Sequence, residues 1–330
     1  MERMITGVRP TGNITLANYI GGIRKFVEQQ YDYESLIFIA DIHGLTTYID
    51  PNEIRNNILD ITAMYMACGI DISHTALFMQ SDVLEHCNLG FLVAFQCGVG
   101  ELSRMTQFKS KRKELSKNDK DMGLFIYPTL MAADILLYDA KVVPVGADQR
   151  QHIEKTRDLG ERFNKIYGKT FTLPDYQIPK IGAKIMNLQN PEEKMSKSAS
   201  KDDKGTIFMF DDIEKTRKKI MSACTDNEGK IYFDEENKKG VSNLISLMAV
   251  VSNKEIEEIE DIYKDYSYKD FKIELADKVC KFISEVQIKY YEYRNNEELL
   301  KEVLKKGADK ARSIASKKLV EVRKTVGLYI

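Results

Sequence analysis

Leu36-Ile37-Phe38-Ile39-Ala40 is an apolar run with no polar interruption. A strand with one wet face alternates apolar and polar residues. An unbroken run of this length reads instead as a strand buried on both faces, as in parallel sheets covered by helices. The flanks support this reading. Before it, Leu16, Ile20, Ile23 and Val27 recur at helical spacing and predict a helix over 16–29, preceded by a short strand, Met4–Thr6, that ends at Gly7. After it, Pro51 opens a helix running to Cys68 with Ile54, Ile58 and Ile61 on one face. Thr75–Gln80 reads as a third strand, Leu84–Cys97 and the residues beyond as helix, and Pro128–Leu137 as a helix opened by its proline. Lys141–Val145 reads as a fourth strand and Gln149–Tyr167 as a long polar helix. Strands alternating with helices predict an α/β fold: a parallel sheet with right-handed crossovers, its ligand beyond the carboxyl ends of the strands.

The composition then shifts. Residues 176–210 are rich in Lys, Ser, Asp, Asn and Gly and read as a long functional loop. Beyond Asp211, Ile213–Ala223, Ser242–Val251, Asp270–Tyr291 and Glu297–Val326 read as helices, with one short strand expected at Lys230–Phe233. This part is therefore expected to be an all-helical module.

With 330 residues the chain has room for two or three domains and a sizeable core. Lys plus Arg number 49 and Asp plus Glu 50, for a net charge of -1. That balance excludes a histone-like polycation and an acidic disordered tail, but not a local basic face on a neutral protein. The five cysteines contain no Cys-x-x-Cys pair, which argues against a disulfide scaffold and a four-cysteine metal site. Cys87 beside His86 lacks further ligands and is a poor metal site. The first residues carry no apolar signal region, and no segment approaches about 18 uninterrupted apolar residues. A cytoplasmic protein without a membrane span is the expectation.

Three features carry chemistry. Gly7-Val8-Arg9-Pro10-Thr11-Gly12 lies between the first strand and the first helix. Its glycines permit a tight turn, and the helix start that follows suits phosphate. An ordinary strand–helix turn would look the same. Lys194-Met195-Ser196-Lys197-Ser198 places two lysines around hydroxyls in the loop region. Such a segment can close on a polyphosphate and stabilise charge developing on a leaving group. Asp134 stands in an otherwise apolar helix, where a carboxylate needs a partner, either a ligand or a neighbouring protein group.

In this order the first and second features resemble the two signatures of the class I aminoacyl-tRNA synthetases, His-Ile-Gly-His and Lys-Met-Ser-Lys-Ser. The first is present in degenerate form as Thr15-Leu16-Ala17-Asn18. The stretches Gly100–Lys109, Leu130–Tyr138, Val143–Gln149 and Gln151–Leu159 are similar to those of the bacterial tryptophanyl-tRNA synthetases, and the similarity runs over essentially the whole chain. The resemblance implies a Rossmann-like nucleotide-binding domain over 1–185, a mobile lysine loop over 186–198 and a helical anticodon-binding domain over 199–330, with the last helix, 295–330, free to pack back on the first domain.

It also implies roles for residues. Asp134 would accept the indole N–H of tryptophan. Gly7, His43, Tyr127, Met131, Val143, Val145 and Gln149 would line the pocket. For ATP the matching positions are Arg9, Pro10, Thr11, Ala17, Asn18, Gly146, Ala147, Asp148 and Ile185. Lys194, Met195, Ser196, Lys197 and Ser198 complete that set. Lys111, Lys194 and Lys197 would act on the phosphates during catalysis. The resemblance implies Mg²⁺ carried on ATP and no protein metal site. The implied partners are L-tryptophan, tRNA(Trp) and a second copy of the chain, with neither DNA nor a membrane. His152 is expected to belong to its polar helix or to contact Gln149. The basic residues Lys305, Lys306, Lys310, Arg312, Lys317 and Lys318 read either as a solvated helix face or as a phosphate contact.

Four positions depart from the family pattern. Ala17 replaces a glycine, Thr15 a histidine, Ile5 a phenylalanine and Arg9 a glutamine. Thr15 keeps one hydroxyl donor over a shorter reach. Two rivals share the fold: the tyrosyl branch of the same class, and another nucleotidyltransferase without tRNA. A third is a catalytically silent paralogue acting as a sensor.

Overall fold

The apolar run forms the core of β2 (Glu34–Ile39), in which residues 35–39 are all buried. The protein is described here as a computed structural model. It describes all residues except 11–13, 47, 115–120, 147–148, 178–184, 196–199, 201 and 329–330, and the side chains of Lys111, Lys113 and Glu114. In chain order the described elements are β1 (Arg3–Val8), α1 (Leu16–Asn18), a π turn (Tyr19–Ile23), α2 (Arg24–Gln29), β2, α3 (Asp41–Gly44) and α4 (Pro51–Ala67). Next come β3 (Ala76–Met79), a 3-10 turn (Gln80–Asp82), α5 (Glu85–Ala94), α6 (Val99–Ser103), α7 (Thr106–Glu114) and α8 (Met122–Leu136). They are followed by β4 (Val142–Pro144), α9 (Arg150–Tyr167) and β5 (Asp175–Gln177). The chain ends with α10 (Ile213–Met221), α11 (Lys239–Ser252), α12 (Ile256–Tyr263), α13 (Tyr268–Arg294) and α14 (Glu297–Thr325).

The chain forms two compact units, neither continuous in sequence. The first comprises Met1–Thr11, Phe26–Pro179 and Tyr293–Ile330, and the second Gly12–Lys25 and Lys180–Glu292. The first holds a five-stranded parallel sheet in the order β3-β2-β1-β4-β5. From β1 the chain builds outward to one side, through β2 and β3, and then to the other, through β4 and β5. The reversal falls between β1 and β4, where open α/β sheets leave a crevice for a ligand. The core around the sheet joins Leu36, Phe38 and Phe78 to Ala133 and Leu136 of α8 and to Ala308, Ala311, Ala315 and Val322 of α14. The small residues of α14 bring that helix close to the sheet. Truncating Phe78 to Ala would cost about 3–5 kcal/mol in such a core.

The second unit is helical over α10–α13. The Tyr19 ring packs on Phe282 at a 4.9 Å centroid distance, and Phe210 packs on Tyr290 at 4.3 Å. Gln287 donates to the carbonyls of Met209 and Asp211, both at 2.9 Å, and so holds the turn before α10.

Several expected elements need correction. Helix α8 does not open at Pro128 but at Met122, with the proline inside it. Leu124 and Tyr127 of the preceding turn are buried, and that packing outweighs the hydrogen bond lost at proline. The expected strand at 230–233 is absent: the Phe233 N–H donates to the Glu260 carboxylate at 2.5 Å, so a side chain takes the place of a ladder partner. Strand β5 was read as loop because Asp175-Tyr176-Gln177 is short and polar. Helix α12 was missed because its acidic sequence hides a two-residue buried stripe, Ile259 and Tyr263. The helix expected over 16–29 contains a π turn with Gly21 and Gly22 at its centre.

Candidate active site

At the sheet's switch point Gly7 lies near the end of β1, and Val143 and Val145 lie around the end of the neighbouring β4. The Thr6 hydroxyl donates to the Pro144 carbonyl at 3.2 Å and ties the two strands. Gly7 pairs with Phe38 across the ladder, and a Cβ at Gly7 would lie 2.5 Å from the Phe38 ring. The glycine is therefore required by packing within the sheet, whatever approaches from outside. Val143 is buried in the core, whereas Met131 and Val145 pack against it partly exposed. Ile5 is fully buried in the same core.

Asp134 of α8 is almost wholly buried and faces the turn that follows β3. Gln80 Nε2 bridges its two oxygens at 2.8 and 2.9 Å. His86 Nδ1 lies 2.6 Å from Oδ1, and His86 Nε2 lies 2.7 Å from the Tyr138 hydroxyl. Facing a carboxylate, Nδ1 donates to Oδ1, and Nε2 is engaged by the Tyr138 hydroxyl. Burial pushes the Tyr138 hydroxyl pKa upward, with Asp134 and Glu85 adding to it. Both nitrogens of His86 are thus engaged, and it forms no metal pair with Cys87.

A second network links Arg9, His43, Tyr127 and His152. Arg9 Nη2 sits 2.5 Å from His43 Nε2. A guanidinium has no acceptor, so Nε2 accepts and the proton of a neutral His43 ring resides on Nδ1. The His43 ring meets Tyr127 edge-on at 4.8 Å. The Tyr127 hydroxyl donates to Gln107 Oε1 at 2.9 Å and lies 2.5 Å from His152 Nε2. Having donated its one proton, it accepts from His152. His152 is therefore a buried partner of Tyr127, a connection the polar pattern of α9 did not reveal. Burial pushes the Tyr127 pKa up to about 12, with Arg9 opposing the shift. Burial in turn lowers that of Arg9.

The second unit holds the remaining motifs. Thr15 caps α1: its hydroxyl accepts from the Asn18 N–H at 3.2 Å and donates to Asn18 Oδ1 at 2.9 Å. Thr15 is fully buried, so its hydroxyl organises the segment. Ala17 is partly exposed beside it. Lys194 pairs antiparallel with Met186 through the backbone and keeps an exposed side chain, while Met195 and Ile185 are buried. Asn243 fixes this segment by accepting from the Met186 N–H at 2.8 Å and donating to its carbonyl at 3.0 Å. The region expected as loop is thus partly ordered through backbone pairing.

Thr11, Ala147, Asp148, Ser196, Lys197 and Ser198 lie outside the described residues, as does the side chain of Lys111 in α7. Pro10 is buried, and its carbonyl accepts from Asn57 at 3.1 Å. Gly146 accepts from the Gln149 N–H at 2.9 Å in the turn that opens α9. The basic residues of the last helix do not form one patch. Lys318 is buried against Asp139 and the Thr170 carbonyl, Arg312 pairs with Asp309, and Lys306 pairs with Glu302. Among the described residues no three His, Cys, Asp or Glu side chains gather as metal ligands. No helix among them is long and apolar enough to cross a membrane.

Sequence reasoning missed Gln80, His86 and Tyr138. The available signal was a polar residue closing an apolar strand (Gln80) and a tyrosine four residues after Asp134 on the same helix face.

The chain is similar to known proteins over its whole length. The family model of class I tRNA synthetases for tryptophan and tyrosine matches residues 2–284. The tryptophan–tRNA ligase of Bacillus anthracis is 46% identical over 328 residues, covering 99% of this chain and 98% of the relative. The tryptophanyl-tRNA synthetase of Mycoplasma pneumoniae superposes with a TM-score of 0.89 at 34% identity, covering 99% of this chain and 98% of that one. The Campylobacter jejuni enzyme, solved with ADP and tryptophan, superposes at 0.82 with 34% identity, covering 99% and 100%. With the family model matched over most of its length and relatives this similar end to end, the chain belongs to the class I tRNA synthetases of the tryptophan and tyrosine type, among the tryptophan–tRNA ligases.

Proposed function

We propose that the chain condenses L-tryptophan with ATP to tryptophanyl-adenylate and pyrophosphate, then transfers tryptophan to the 3'-terminal ribose of tRNA(Trp). The observation that carries this reading is Asp134, a buried carboxylate in an apolar helix with one acceptor position left open by the described residues. Gln80 and His86 occupy two positions on Oδ1 and one on Oδ2. A carboxylate offers about four such positions, so the fourth, on Oδ2, is available to the indole N–H. Gly7, His43, Tyr127, Met131, Val143, Val145 and Gln149 surround the ring in this reading.

In the first step a tryptophan carboxylate oxygen attacks the α-phosphorus. The bond to the β-phosphate oxygen breaks, and its electron pair leaves with pyrophosphate. In the second step a ribose hydroxyl attacks the carbonyl carbon and AMP departs. No protein nucleophile is needed; the chain contributes positioning and electrostatic stabilisation. The residues assigned to ATP in this reading are Arg9, Pro10, Thr11, Ala17, Asn18 and Ile185, with Gly146, Ala147 and Asp148 for its ribose and Lys111, Lys194, Met195, Ser196, Lys197 and Ser198 for its phosphates. ATP enters as its magnesium complex, with Mg²⁺ held on phosphate oxygens.

Helices α10–α13 would bind the anticodon arm. A homodimer is supported by Phe91 on α5, Phe95 at its C-terminal cap, and Met122 and Ile126 on α8, all exposed apolar residues on or beside helices that pack together. A cytoplasmic location is consistent with ATP and tRNA as substrates. The test is tryptophan-dependent ATP–pyrophosphate exchange followed by charging of tRNA(Trp).

A further inference from the structure

The Asp134 carboxylate is held on both sides by side chains that are themselves fixed. Gln80 is fully buried; its Nε2 bridges both carboxylate oxygens, and its Oε1 accepts from the His43 N–H at 3.3 Å. His86 is fully buried, anchored at Nε2 by Tyr138, and its ring packs among Phe38, Phe78 and Tyr138 at centroid distances of 5.8, 6.1 and 5.5 Å. Asp134 therefore cannot turn its carboxylate without breaking bonds to two immobile donors. These donors also determine which acceptor position stays open, leaving one on Oδ2.

We infer that Gln80 and His86 are positioning residues that set the enzyme's selectivity for a ring bearing an N–H donor. They do so by filling both positions on Oδ1 and one on Oδ2, which leaves a single fixed Oδ2 lone pair of Asp134 for the ring N–H. The inference rests on the reading of Asp134 as the partner of the indole. Without Gln80 or His86 the carboxylate can rotate or draw in water. A ligand lacking the N–H then no longer leaves a fixed buried acceptor unpaired, and it loses its disadvantage.

The experiment compares tryptophan with β-(1-benzothiophen-3-yl)alanine, in which sulfur replaces the N–H, in ATP–pyrophosphate exchange. The ratio of kcat/KM values is measured for the wild type and for Asp134→Asn, Gln80→Leu, His86→Leu and His86→Asn. The asparagine amide can replace Nδ1 as donor. The expected result is a loss of selectivity of about 10–100-fold in Gln80→Leu and His86→Leu. The loss should come through KM for tryptophan with KM for ATP unchanged, and His86→Asn should restore most of it. A merely structural role would lower activity toward both substrates and leave their ratio intact. Unchanged selectivity in His86→Leu and Gln80→Leu, with selectivity lost in Asp134→Asn, would overturn the positioning role alone. Unchanged selectivity in Asp134→Asn would overturn the indole contact and the positioning role together. Should the leucine variants fail to fold, His86→Asn paired with Tyr138→Phe decides. Tyr138→Phe leaves His86 Nε2 unpaired, and an unaltered ratio in both would contradict the proposal.

Discussion

Thr15 and Phe208 pair backbone to backbone, antiparallel, in the second unit. The neighbouring bonds run from the Leu16 N–H to the Ile207 carbonyl and from the Met209 N–H to the Ile14 carbonyl, each 2.9 Å. The first signature segment is therefore joined to the chain that follows the lysine stretch. Far apart in sequence, the two share one compact unit.

Three residues before Phe208, Gly205 packs against Asn187, and its carbonyl accepts from the Leu188 N–H at 2.8 Å. A Cβ there would lie 1.8 Å from Asn187 Oδ1, which accepts from the Gln189 and Asn190 N–H groups at 2.9 and 3.0 Å. Gly205→Ala is expected to destabilise the protein by about 1–3 kcal/mol, as overpacking does. Urea unfolding followed by tryptophan-independent far-UV signal measures this. Asn187→Ala in the same chain should recover part of the loss, because it removes the clashing oxygen; strict additivity would contradict the contact.

Glu101 gives a pH signature. Bonds from Arg162 and then Lys155 hold its carboxyl down at about 2, against an ordinary 4.5. Arg162 Nη1 lies 3.0 Å from Oε1, and Lys155 Nζ 3.0 Å from Oε2. A depressed folded value means the unfolded chain takes up the proton first on acidification. The contribution is complete above the ordinary value and is lost as pH falls from about 4.5 toward about 2. Because the pair is partly solvated, it is worth on the order of 1 kcal/mol. Glu101→Gln should be less stable than wild type at pH 7, and the two should converge toward pH 2; a constant gap would refute the linkage.

Lys194 offers a clean test of charge without disturbing structure, since its pairing with Met186 is through the backbone and its side chain is exposed. Lys194→Ala should lower kcat for pyrophosphate exchange by about 10²–10³-fold, the scale of one lost transition-state donor. Equilibrium dialysis should find tryptophan binding unchanged. Weaker tryptophan binding with kcat preserved would assign the lysine a different role.

The exposed rings of Phe91 and Phe95 stack edge-on at 5.1 Å, 69% and 71% exposed. Covered by a second copy, they would bury substantial apolar area. Phe91→Glu should convert a dimer to a folded monomer in sedimentation velocity. A wild-type monomer at micromolar concentration would remove the basis for this prediction.

Legibility in the sequence followed the physics of each signal. Leu36–Ala40 announced β2 because burial on both faces forces a continuous apolar run. Pro51 announced α4 because proline suits a first turn. The same rule failed at Pro128, where buried neighbours on both sides carry the helix through a proline. Strand β5 and helix α12 were silent, since a three-residue edge strand and an acidic helix have too few apolar positions to register. Asp134 stood out as a lone carboxylate in an apolar helix. Its supports, Gln80 and His86, come from a different segment of chain, and only the packing of α5 and the 3-10 turn against α8 brings them together.

The most direct test is ATP–pyrophosphate exchange with tryptophan and with tyrosine, for wild type and Asp134→Asn, followed by charging of tRNA(Trp). The account predicts exchange with tryptophan alone, a fall of several orders of magnitude in Asp134→Asn, and charging of tRNA(Trp) by the wild type. Exchange with tyrosine, or undiminished exchange in Asp134→Asn, would contradict it.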